Sequence, residues 1–239
     1  MVTVFTVAVL ALLAGVIHSA TGFGAGIFMM LFFPGIFGII PAPALSSAIV
    51  IGLEGVLAWN FRKYIDWKLC LLPTLVYILF SVTAIRMVNR TNMDVLTFAY
   101  GLFLIALAIY FFAFSARLKF RANWLSATVC GGISGIASGF FGIGGPLMAV
   151  YFVSATEDKE SYLANLQFLF TVTSVVNLIT RIANGIYTLN LLPLTLVGLA
   201  GILVGKVIGL KILNRLEPDR IRRIVYAFVG ISGVITVLK

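Results

Sequence analysis

Four glycines and a proline fall within nine residues at Ser138-Gly-Phe-Phe-Gly-Ile-Gly-Gly-Pro146. A related stretch, Thr21-Gly-Phe-Gly-Ala-Gly26, occupies the matching place in the first half of the chain. Both interrupt apolar sequence. Glycine takes backbone angles that other residues resist, and it lets a ligand approach the main chain closely. A helix that breaks at such a stretch and restarts leaves unpaired N–H groups, with the positive end of its dipole behind them. That chemistry suits an anion. The candidate contacts are the main chain at Gly22, Gly24 and Gly26, and at Gly139, Gly142, Gly144 and Gly145, with the hydroxyls of Thr21 and Ser138 beside them. The alternative is that these glycines only let helices pack closely. Their duplication favours a site, because transporters build their sites where repeats meet.

Other polar groups inside apolar sequence extend the candidate set. Asn165, Gln167, Thr171, Thr173, Ser174 and Asn177 lie in one run. Asn165, Thr173 and Asn177 share roughly one helical face, since spacings of four and eight are near whole turns. Polar groups on a membrane helix face protein or a cavity. Asn165, Gln167 and Asn177 are therefore candidates for substrate contact, with interhelical hydrogen bonding as the alternative. Glu54 lies near the middle of another run, where a bare carboxylate is costly. Its functional reading is proton coupling and its plainer one a structural partner. His18 adjoins the first glycine turn and is the second candidate for proton coupling, against a structural hydrogen bond. Lys206 reads as a snorkelling lysine.

Enzyme chemistry finds little support. There is no Gly-Lys-Ser/Thr phosphate loop, and the glycines at 139–145 lack the preceding strand of a dinucleotide site. One histidine with Cys70 and Cys130 at unrelated spacings makes no ordinary zinc site. No metal or cofactor is expected, and both cysteines read as packing residues.

Composition sets the class. The 239 residues are 61% hydrophobic and 10% charged, with mean hydropathy +1.11. A soluble domain has too little interior for that much apolar surface. The expected fold is an all-α polytopic membrane protein with membrane lipid as its surroundings. The net charge of +9 is gathered between apolar runs. Topology and anionic headgroups account for it, and no nucleic-acid motif accompanies it.

Ten apolar runs follow one another: 2–17, 24–40, 44–61, 69–88, 95–114, 125–139, 143–155, 162–183, 189–213 and 221–238. The first lacks a basic leader and has a counterpart at 125–137, which argues against a cleaved signal. The runs at 2–17 with 24–40, and at 125–139 with 143–155, read as hairpins or as short tilted spans. Proline at 73 is expected in a helical first turn. Residues 1–114 form the first repeat, 115–123 a basic cytoplasmic linker and 124–239 the second repeat. Four local matches keep the same order in both halves. Thr21-Gly-Phe23 pairs with Ser138-Gly-Phe140, Arg62 with Arg181, Leu71-Leu-Pro73 with Leu191-Leu-Pro193, and Asn89-Arg90 with Asn214-Arg215. Ordered matches argue for duplication.

Five runs per half make the second copy enter from the opposite side, giving inverted repeats. One side collects Arg62, Lys63, Lys68, Arg117, Lys119, Arg121, Lys159, Lys211, Arg215, Arg220, Arg222 and Arg223. The other collects Arg86, Arg90, Arg181 and Lys239. The first side is therefore expected in the cytoplasm, with both termini outside.

The Gly139-Phe-Phe-Gly-Ile-Gly-Gly-Pro146 stretch, its looser counterpart at Thr21–Gly26, the length and the two-half design resemble the TauE/SafE family. The resemblance spans essentially the whole chain. It implies a permease of the bacterial cytoplasmic membrane that moves sulfite, sulfoacetate or another organosulfonate. A small sulfur-containing anion is then the expected substrate, moved by proton coupling, and a small-anion channel is the alternative. Substrate, direction and assembly, including a homo-oligomer, stay open.

Overall fold

The computed structural model describes residues 2–114, 123–212, 234 and 236–238, with the side chains at 20, 21, 111–114, 210 and 212 outside the description. The linker at 115–122, the match at Asn214-Arg215 and nearly all of the tenth run lie outside it too.

Nine α-helices carry the described chain. They are α1 (Val2–Thr21), α2 (Ala25–Phe37), α3 (Pro41–Phe61), α4 (Trp67–Val88), α5 (Met93–Phe114), α6 (Trp124–Phe141), α7 (Gly145–Ala155), α8 (Lys159–Ala183) and α9 (Leu192–Ile212). Seven of them are long and apolar enough to cross a membrane. The exceptions are α2, with 13 residues, and α7, with 11. At 1.5 Å per residue they reach only about 20 and about 16 Å, short of a hydrocarbon core of about 30 Å. Neither is long enough to cross by itself, whereas α1 and α6 are, so each broken hairpin, α1–α2 and α6–α7, joins one helix of spanning length to one short helix.

Polar side chains close the helix ends. Asp66 caps α4 by accepting from the N–H groups of Lys68 and Leu69. Asn123 and Ser126 form a reciprocal capping box on α6. Asp158 caps α8 by accepting from the Ser161 N–H and hydroxyl, each at 2.7 Å, which holds its exposed carboxyl below the usual range. Because Asp66 starts α4 early, Pro73 falls inside the helix and not in its first turn. Membrane helices tolerate this where neighbouring helices surround the break. Pro41 and Pro43 do not close the second run as its boundaries imply. They open α3, where a missing N–H costs nothing.

The helices sort their residues opposite to a soluble protein. On α4, Leu71, Leu75 and Leu79 point outward with more than half of their surface exposed, while Thr74, Tyr77 and Ser81 are buried. Lipid meets the apolar stripe and the polar groups find protein partners.

Two glycine seams tie the halves together. In α6, Gly131, Gly135 and Gly139 lie against Pro73, Tyr77 and Ser81 of α4. A Cβ on Gly135 would sit 2.5 Å from the Tyr77 carbonyl oxygen. In α9, Gly201, Gly205 and Gly209 lie against Ala8, Leu12 and Val16 of α1, and a Cβ on Gly201 would sit 2.6 Å from the Ala8 oxygen. Both series rise together, so each pair runs parallel at backbone contact. Helices α3 and α8 cross between the seams, with α8 also against α4 and α3 also against α9.

Candidate functional site

The two hairpins meet end to end. Gly24 is the N-cap of α2 at φ 106°, and Gly142 ends α6 at φ 68°. Positive φ is the region where only glycine rests without strain. A Cβ on Gly26 would lie 3.2 Å from the Gly142 oxygen, and one on Gly145 would lie 3.6 Å from the Phe23 ring. Neither α2 nor α7 has a side-chain cap at its start. Both caps are glycine, so no cap side chain covers their first N–H groups, and two positive dipole ends lie close together.

A cavity of about 60 Å³ opens at this meeting point. One probe sphere needs roughly 10–15 Å³, so the space suits about four waters or an anion of similar size. From the hairpins it is lined by His18, Phe23, Gly24, Gly26, Ile27, Ser138 and Gly142–Gly145. Helix α3 adds Ser46, Ser47, Val50 and Glu54, α4 adds Tyr77, and α8 adds Phe170 and Ser174. Glu54 is buried, Ser174 faces its carboxyl, and its Oε2 has no hydrogen-bond partner. His18 is also buried with Nδ1 unpartnered. Two titratable groups thus share one small cavity, each with a free polar atom.

The structure brings Gly24, Gly26, Ser138, Gly142, Gly144, Gly145, His18 and Glu54 together around that space. The other candidates stand behind it. Gly22 carries φ 78° and takes a hydrogen bond on its carbonyl from Gln167 Nε2 at 2.5 Å. Gly139 is a seam glycine, where a Cβ would meet Ala84 at 2.5 Å, so its reason for being glycine is packing. Asn177 accepts from the Ser81 hydroxyl at 2.7 Å and donates to Ser138 Oγ at 3.2 Å. Asn165 sits near one end of the bundle, accepting from the Asp66 N–H at 2.9 Å and from the Cys70 thiol. The Thr21 side chain lies outside the described residues.

Asn165, Thr173 and Asn177 are buried as one face, as the periodicity requires. Arg181 continues that face and is fully buried, where the charge pattern placed it in an outer loop. Its Nη2 donates to the carbonyls of Ser138 at 3.1 Å and Gly139 at 2.8 Å. The spacing of four from Asn177 is the signal for this, and its place at the end of an apolar run obscures it. Arg62, its sequence counterpart, is exposed and stacks over Trp59 at 4.2 Å. Tyr77 escapes sequence reasoning because a single tyrosine in an apolar run carries no pattern.

The fold and site define a multi-pass helical membrane protein with two broken hairpins facing one polar cavity. The chain belongs to the family described as sulfite exporter TauE/SafE, whose profile matches residues 7–236. It is also similar to a probable membrane transporter protein of Methanocaldococcus jannaschii, at 24% identity over 246 residues covering 95% of this chain and 92% of that one. No solved structure matches it.

Proposed function

We propose that the protein is a proton-coupled secondary transporter of the cytoplasmic membrane for a small sulfur-containing anion, sulfite or a compact organosulfonate. One observation carries the reading: two half-helix N-termini without side-chain caps and two buried titratable side chains line the same cavity. The N-termini supply fixed partial positive charge for an oxyanion. Glu54 supplies a carboxyl whose proton can travel with that anion. A carboxylate beside an anion in a small dry space is costly, so the site favours substrate and proton together.

The inverted-repeat reading has support in the packing. Under the sequence matches, α1 corresponds to α6, α2 to α7, α3 to α8 and α4 to α9. The contact of α1 with α9 then corresponds to that of α6 with α4, and α3 with α9 to α8 with α4. Each contact has its counterpart, with α3 and α8 on the central axis. Inverted transporters place their substrate on such an axis.

The experiment is flux into proteoliposomes with sulfite, sulfoacetate, taurine and sulfate compared, with and without a pH gradient. Saturable uptake of a sulfur oxyanion that follows the gradient is expected. Ohmic single-channel currents would favour a pore, and no movement of any of the four would sink the substrate class.

A further inference from the structure

Helix α8 holds the C-terminal end of both broken helices. Toward its start, Gln167 is fully buried, donates to the Gly22 carbonyl at 2.5 Å and lies 3.3 Å from His18 Nε2. Toward its end, Arg181 is fully buried and donates to the carbonyls of Ser138 and Gly139. The two are fourteen positions apart, about 21 Å along the axis. Gly22 and Gly139 are the matching glycines of the two copies. In the structure Gly22 follows the end of α1 and Gly139 lies in the last turn of α6, so α8 holds a carbonyl at each break, once by an amide and once by a guanidinium.

Opposite ends of the bundle surround the two contacts. Gln167 lies toward the end where Asn165 binds the Asp66 N–H, and Arg181 toward the end where Asn89 donates to the Asn184 carbonyl at 3.0 Å. Each contact includes a buried polar atom without a partner: Nδ1 of His18 at one, Nε and Nη1 of Arg181 at the other. Buried unpaired polar atoms are costly in one fixed structure. They are accounted for if the contact breaks in a second arrangement that admits water or anion.

We propose that Gln167 and Arg181 are side-specific latches, each holding one hairpin end against α8 and each releasing to open the cavity to its own face of the membrane. Arg181 governs the outer face and Gln167 the cytoplasmic face, by the distribution of basic residues. The coulombic pull of a guanidinium on the negative end of α6 makes the outer latch the stronger. Helix α8 is then the rigid element against which both hairpins move. This rests on the cavity being the transported substrate's site, but its test uses no substrate.

The test is labelling of a Ser47→Cys reporter, which lines the cavity, in the full chain within sealed right-side-out and inside-out vesicles. The probe is a charged, membrane-impermeant maleimide, and the parent chain corrects for the buried Cys70 and Cys130. Arg181→Gln is expected to speed labelling about tenfold from one face only, and Gln167→Ala about tenfold from the other, the scale of one lost hydrogen bond. Arg181→Lys, which keeps the charge, should fall between Arg181→Gln and wild type, and it replaces Arg181→Gln if that chain does not fold. Opposite side preferences support the latches. Equal acceleration from both faces, or none in folded protein, overturns them, and Gln167→Ala alone decides this if neither arginine variant folds. Failure of sulfur-anion flux would leave this labelling pattern unchanged, so the two readings fail separately.

Discussion

A methyl group added at Gly145 would meet the Phe170 and Phe23 rings at 3.4 and 3.6 Å, an ordinary van der Waals distance. The same change at Gly144 would drive into the Tyr77 hydroxyl and the Ser134 carbonyl oxygen. The pair therefore separates site from scaffold. Gly145→Ala is expected to hold its melting temperature while weakening anion binding by about tenfold, about 1.4 kcal/mol. Gly144→Ala should lower both, since overpacking costs about 1–3 kcal/mol. Ligand titration beside thermal melting reads both effects, and full affinity in Gly145→Ala would remove the anion from the start of α7. Glu54→Gln keeps the shape of the buried side chain and deletes its proton exchange. Uptake by that variant is expected to lose its dependence on the pH gradient while the protein stays folded. Gradient-driven flux equal to wild type would end the coupling role of Glu54.

Among elements, the seams and the hairpins respond differently to the same kind of change. Gly135→Val and Gly201→Val each press on the backbone of the facing helix, which has no flexible end to move aside. Each should destabilise by about 1–3 kcal/mol, read as a lower melting temperature, with unchanged anion affinity in the folded fraction. Gly35, inside α2, has nothing within 4 Å of an added methyl. Gly35→Ala should raise stability by about 0.5–1 kcal/mol through the backbone entropy that glycine costs a helix. A drop there would show that α2 needs flexibility near its end. The hairpins themselves were half legible in the sequence. The short apolar runs and glycine clusters mark where the chain breaks. Helix lengths of 13 and 11 residues then show that α2 and α7 are too short to cross by themselves.

For the whole molecule, the basic residues set an orientation that labelling can check. Lys63 is exposed beside the start of α4, and Leu189 is 82% exposed between α8 and α9. In intact cells, Lys63→Cys should resist an impermeant thiol reagent while Leu189→Cys reacts readily. The reverse pattern would invert the topology and place the basic loops outside. Burial of Arg181 removes it from the outer loops, which leaves the charge asymmetry steeper than the bare sequence shows.

The sequence by itself determined the class, the breaks and the polar face of α8, because each is local. Hydropathy is a property of one segment, glycine permits its own turn, and spacings of four and eight place Asn165, Thr173 and Asn177 on one stripe. Tertiary structure alone decided which polar residues share a space. Glu54 and His18 belong to different helices, and nothing in their spacing joins them at one cavity. The glycines of one motif look alike in sequence, yet Gly139 meets α4 and Gly145 faces the cavity. The reason is that an added Cβ is tolerated or refused by atoms far along the chain, and only packing brings those atoms near.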